Sequence, residues 1–457
     1  MRRSRSVVTA ALTAVALLGG ACSSGGSSGS KAGPAAIRSA GVDNVALYDN
    51  SVVHDIAVRF DQAAYDEMVD AYVQSQDKEW IEATITIDGV TLEKVGMRLK
   101  GNSSLRGLAR AGGGGQSSGV TRTEPESLPW LVRFDKYVEG QTYQGRTEVV
   151  IRGSNTETSL NEAVALELIG LSGAATQKAF STRFAVNGGT QVLRLAIESP
   201  NDDWEQSTFE TEGILYKAES TGDYSYRGTD PKSYDDVFDQ ESDTDNENLA
   251  PLISFLDFIN NSGDATFAAD LGKHFDVASF ARYLALQDLV ANWDDIDGPG
   301  NNSYLRYDEA TKQFTVLSWD LNLAFNGTGG PGGAGGMGGA QPPAGGFQPP
   351  TGGQPPAGVR TPPPGAGPAP VPAGGQQVRP GGPGGRTNIL VQRFQANPTF
   401  AAMFNQAKTD LKTELFTSGK ASQVLSRWSG VLTAQASDLV DAATIEREAA
   451  SISRLFA

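Results

Sequence analysis

The 457-residue chain has one cysteine, Cys22, and two histidines, His54 and His274. A single thiol excludes a disulfide framework and a cysteine-rich zinc site. Two imidazoles leave little room for a histidine-ligated metal centre or a Ser-His-Asp hydrolase, and both histidines are expected to be structural. Cationic residues are also short: 37 Lys plus Arg stand against 53 Asp plus Glu, a formal net charge of -16. Nucleic-acid partners are therefore not expected, because phosphate contacts draw on clustered Lys and Arg. A chain of this length buries a proper core without disulfides or metals, as two or three domains or one large two-lobed unit.

The N-terminus has the layout of an address. Arg2, Arg3 and Arg5 precede an apolar run over residues 7–18, which is too short to span a bilayer, and Gly19-Gly20-Ala21-Cys22 follows. Residues 1–22 are read as a signal peptide with a lipobox-like cysteine, although Gly19 occupies the place where an aliphatic residue is usual. Lipidation of Cys22 would anchor the protein at the outer face of the cytoplasmic membrane; without it the protein would be secreted. Residues 23–44, beginning with eight Ser and Gly, form a flexible tether in this reading.

Residues 327–386 hold 22 Gly and 15 Pro and no Asp or Glu. Such a segment cannot bury enough apolar area to offset its ordering entropy, so a disordered insertion is expected there. It lacks the strict glycine period of collagen. Its Pro-Pro pairs suit a semi-extended spacer, a ligand for a proline-binding partner, or a tolerated loop insertion. Residues 45–326 and 387–457 then form one globular domain, the second stretch being its C-terminal helical part.

Alternating apolar residues predict strands over 54–60, 80–87, 91–99, 130–134, 148–152, 182–186, 191–197 and 213–217. Asp88-Gly89 marks a hairpin. Asp61 is placed to cap a helix running to about residue 74, and a second helix is expected over 159–171. Beyond residue 248 helices dominate, at 249–260, 277–292, 400–416, 421–434 and 437–455, with one strand pair at 303–307 and 314–317. Strands first and helices afterwards predict an α+β protein of two lobes.

The junction of those halves carries the chemistry. Asn292-Trp293-Asp294-Asp295-Ile296-Asp297-Gly298 and Asn301-Asn302 lead into the strand pair, and Ser318-Trp319-Asp320 follows it. Carboxylate and amide oxygens suit a hard cation, and an acid, an amide and a second acid in this order match the needs of phosphoryl transfer. A Ca²⁺ loop is the alternative, against which stands the missing Glu at the twelfth position. Lys217 closes a strand at the position a phosphate-binding lysine needs, and Glu198, ending the preceding strand, is placed to pair with it.

These motifs resemble the CotH kinase-like family, related at the fold level to protein kinases. The resemblance rests on Arg98-Leu99-Lys100-Gly101-Asn102-Ser103-Ser104, on Gly213 to Lys217, on Asn292-Trp293-Asp294, on Asn302-Ser303-Tyr304-Leu305 and on Ser318-Trp319-Asp320. It implies an atypical protein-kinase-like fold, with a strand-rich N-terminal lobe, a helix-rich C-terminal lobe and the Gly/Pro-rich insertion. It also implies ATP- and Mg²⁺-dependent phosphorylation of protein Ser or Thr. On that resemblance Asp294 is the catalytic acid, Asn302 and Asp320 are the metal ligands, and Lys217 is the nucleotide lysine, beside which Glu198 is the expected partner from its place at a strand end. The lengthened loop leaves Asp297 as a competitor of Asp294. A surface lipoprotein that keeps the fold as a structural or binding module, without turnover, is the alternative.

Overall fold

In the computed structural model the described residues are 45–109, 120–153, 155–220, 222–298, 301–325 and 388–457. The expectations for residues 1–22, Cys22, 23–44 and the 327–386 insertion lie outside them.

Alternation builds the first half. Strands β1 (Val53–Phe60), β2 (Ile81–Ile87), β3 (Val90–Leu99), β4 (Trp130–Arg133), β5 (Glu148–Ile151), β6 (Ala179–Val186) and β7 (Val192–Ile197) form a closed barrel in the order β1-β2-β3-β4-β5-β7-β6. Apart from the closing pair, adjacent strands of the barrel pair antiparallel, as in Val58 opposite Ile85. Closure comes from β1 and β6, which run parallel with Ile56 opposite Phe184. Every second residue of β1 faces inward, so Ile56 and Val58 are buried while Asp55, Ala57 and Arg59 are exposed. The expected helix is Gln62–Ser75; Asp61 caps it by accepting from the Ala64 amide at 3.0 Å. Its Tyr65, Met68, Val69 and Tyr72 pack into the same core as the barrel interior. Asp88 and Gly89 both take positive φ, 48° and 82°, as the tight hairpin requires. Buried His54 braces that turn, with Nδ1 2.6 Å from Asp88 Oδ2.

A second sheet has the order β11-β10-β8-β9, with β8 Gly213–Ala218, β9 Phe238–Gln240, β10 Ser303–Asp308 and β11 Phe314–Ser318. Helices Leu160–Leu171, Ala250–Asn261, Val277–Leu289, Pro398–Leu411 and Lys420–Gln435 share one apolar core with it. The expected helix through residue 416 changes character on the way, its last stretch Lys412–Thr417 being π-helical. No described helix is long and apolar enough to cross a membrane.

The architecture corrects the expected two-lobed kinase-like fold. The strand-rich half closes on itself as a seven-stranded barrel, and the strands do not stop there. β8, expected with the first half, pairs with β10 of the hairpin, Lys217 lying opposite Tyr304. The helix-rich half also reaches back. Gln435, at the end of Lys420–Gln435, accepts from the Val53 amide at 2.8 Å, and Trp428 donates to Glu167 at 2.8 Å. Barrel residues Leu131, Val150, Leu195 and Ile197 belong to the helical core. The core therefore crosses the border that composition suggested.

Candidate active site

The β10–β11 hairpin places the first three residues. Ser303 is opposite Ser318, so Asn302, just before β10, and Asp320, just after β11, emerge at the same end of the ladder. Asp294 joins them. Asn302 Nδ2 donates to the Asp294 carbonyl at 2.9 Å and to its carboxylate at 3.1 Å, and the Asn302 amide donates to the Asp295 carbonyl at 3.2 Å. Asp297 is directed elsewhere: its Oδ1 accepts from the Asn388 amide at 3.0 Å, tying the loop to the start of the helix Ile389–Ala396. Ala291, Asn301 and Asp320 are non-glycine residues at φ of 50°, 52° and 55°. Such conformations cost free energy and persist where the surroundings fix them, which is common at functional sites.

A cation holds Asp320 in place. Arg152, following β5, donates to Asp320 Oδ1 and to both carboxylate oxygens of Glu162, at 2.9 and 3.0 Å. Burial works against the Arg152 charge, but the Asp320 and Glu162 carboxylates outweigh it and hold its pKa above the usual range. Glu162 stands on the helix Leu160–Leu171, 2% exposed among apolar neighbours. Asn161 beside it donates to the Asn322 carbonyl at 2.5 Å, so the start of this helix grips both Asp320 and the turn after it. Two cations lie near the Trp319 ring, with Lys100 Nζ 5.4 Å and the Arg152 guanidinium 5.5 Å from its centre. Arg152 and Glu162 were not found from the sequence. Their signal was a charge ending the apolar run Val149-Val150-Ile151 and another inside a helix apolar on all sides.

Lys217 borders the same space. It is opposite Tyr304, whose ring meets Trp319 edge-on at 5.5 Å. Its ammonium is 2.5 Å from Glu219, not from Glu198 as expected. Glu198 instead sits 3.1 Å from Arg146 and accepts from the Lys178 amide at 2.8 Å, away from Lys217. Burial raises the pKa of Glu198. Burial likewise pulls Lys100 down and pushes Glu148 up, with each lying in the other's field. The Tyr304 hydroxyl is buried with no hydrogen-bond partner among the described residues. Burial raises its pKa well above the usual value, and Glu241, Glu148 and Glu219 add to the rise. Asp239, on β9, is pushed up to about 6 by burial and by Glu219 and Glu241.

A hard cation fits the donor set. The described residues contain no group of three or more His, Cys, Asp or Glu able to hold a metal. Two protein oxygens, one from Asp320 and one from the Asn302 amide, together with phosphate oxygens and water, suit Mg²⁺, which rarely takes an all-protein cage. The lysines and Arg152 around them suit anionic phosphate. The arrangement brings the Asp320 and Asn302 side chains to one end of the hairpin, with the Asp294 carboxylate beside Asn302 and Lys217 and Lys100 near Tyr304 and Trp319.

A family model described as CotH kinase protein matches residues 97–441 of the chain. No curated protein matches the chain.

Proposed function

The chain belongs to the CotH kinase family, and from this premise we propose that it transfers the γ-phosphate of ATP, with Mg²⁺, to Ser or Thr hydroxyls of a protein. The observation that carries the reading is the convergence of Asp294, Asn302 and Asp320 at one end of the β10–β11 hairpin. Asn302 and Asp320 would hold the metal, which supplies charge neutralisation at the phosphates. Asp294 orients the acceptor hydroxyl and accepts its proton on a carboxylate oxygen. Lys217 and Lys100 bind phosphate oxygens. Arg152 and Glu162 fix the direction of Asp320.

A second reading, a surface module without turnover, has its own support. Lys217 is paired with Glu219 and Asp320 with Arg152, so both groups already have counter-charges. Transfer of labelled γ-phosphate to Ser-containing acceptors decides between them. Asp294→Asn is expected to bind nucleotide nearly as wild type and to lose transfer by ~10²–10⁴, the range for a general base. Transfer unchanged in Asp294→Asn removes that residue's role, and absence of transfer in wild type leaves the binding module.

We place the protein at the outer face of the cytoplasmic membrane, held by lipid on Cys22, on the strength of the N-terminal pattern alone. Cys22→Ala should then move the protein from the membrane fraction to the medium. Equal membrane retention of the two forms contradicts the anchor.

A further inference from the structure

One cation at the edge of the site comes from the chain ahead of the family match, which begins at residue 97. Lys78 lies between the helix Gln62–Ser75 and β2. Its Nζ donates to Asn102 Oδ1 at 2.8 Å, within the Lys-Gly-Asn-Ser-Ser element, and Asn102 Nδ2 donates to Ser220 Oγ at 3.3 Å. Ser220 follows β8, three residues after Lys217. Lys78 is thereby tied to the turn after β3 and, through Asn102, to the residue that follows the end of β8 in the second sheet. Lys217, Arg98 and Lys100 all lie within electrostatic reach of it, and Glu219 is the carboxylate that faces it.

Around Lys78 itself three cations outnumber the one carboxylate, and like charges raise the cost of each other's ionisation, while Glu241 and Glu148 act on Lys100 and Asp239 lies in the field of Lys217. Burial, with that repulsion, draws the Lys78 ammonium down to about 8. The bond to Asn102 takes one of its three donors and leaves two for a further acceptor. A dense anion beside Lys78 would satisfy those donors and offset the repulsion.

We propose that Lys78 is a phosphate-binding residue, closing the site from the barrel side on the terminal phosphates of the nucleotide. The inference rests on the reading above that ATP is the donor. It assigns recognition of phosphate, as distinct from base or sugar, in part to the segment before residue 97.

The test is titration of ATP, ADP and adenosine, each with Mg²⁺, into wild type, Lys78→Met and Lys78→Arg, with melting temperatures measured alongside. Lys78→Met is expected to weaken ATP about tenfold or more, the scale of one lost bond to a charged group. Adenosine binding should be unchanged, and Lys78→Arg should recover part of the ATP affinity. An unchanged ATP affinity in Lys78→Met, or equal losses for ATP and adenosine, overturns the proposal. Ser220→Ala cuts the bridge but keeps the cation, so it should bind ATP as wild type does. A loss there equal to that of Lys78→Met assigns the effect to the bridge and also overturns the proposal. Wild type that binds no nucleotide defeats the kinase reading itself, whereas tight wild-type binding insensitive to Lys78 defeats this inference alone.

Discussion

The barrel and the second sheet use the same β-alternation to different ends. In the barrel the inward positions are mostly apolar, from Val58 and Ile85 to Met97 and Val149, all fully buried, with His54 and Thr182 as polar exceptions. In the second sheet, Tyr304 and Lys217 stand opposite each other, and acids flank them on β9 and after β8. The first arrangement gains stability from burial, and its buried His54 braces a turn. The second carries charges that each depress or raise a neighbour's pKa, a pattern found where chemistry is done. One region is a scaffold, and the other is positioned by it.

The largest expected effects come from breaking each region in its own way. Arg152→Met leaves Glu162 buried without its cation, which should cost ~3–5 kcal/mol and abolish transfer together. Adding Glu162→Leu removes the stranded charge. That double variant should regain most of the melting temperature and none of the transfer, because Asp320 still lacks its clamp. Ile85→Ala in the barrel should cost ~2–5 kcal/mol by cavity formation, yet leave transfer per folded molecule unchanged. Paired denaturation and transfer assays check all three. Full activity in the double variant, or lost activity in folded Ile85→Ala, would erase the distinction between scaffold and site.

A smaller effect tests the acids of β9. Asp239 binds its proton more tightly folded, with pKa about 6, than its ordinary value of 3.8. Its contribution is therefore present at low pH and is lost as pH rises through about 6. Asp239→Asn should flatten stability against pH across that window and should be the more stable form, relative to wild type, above it. Denaturant midpoints from pH 4 to 8 follow this directly, and an unchanged slope contradicts the crowding of acids described here.

What could be read from the sequence divides along the same line. Residue alternation and the Asp88-Gly89 turn are local signals, and the strands they predict lie close to where they form. The barrel itself was not legible, because β1 meets β6 across more than a hundred residues and no local pattern encodes a parallel closure. β9 was missed for being three residues long, and the helix Asp264–His274 for its weak apolar stripe. At the site, Asp294, Asn302 and Asp320 are flagged by residue type and come together. Arg152 and Glu162 are not, since a buried ion pair has no spacing rule in sequence. The Glu198 pairing failed for a related reason. Ending a neighbouring strand says nothing of which sheet that strand enters, and β7 belongs to the barrel while β8 belongs to the second sheet.

The central claim is that the end of the β10–β11 hairpin holds a metal–nucleotide complex. It is tested most directly by titrating ATP, with and without Mg²⁺, into wild type and Asp320→Asn. Wild type is expected to bind in a Mg²⁺-dependent way, and Asp320→Asn to show a marked weakening that disappears when Mg²⁺ is left out. Wild-type binding indifferent to Mg²⁺, or equal Mg²⁺-dependent affinity in the two proteins, would contradict it.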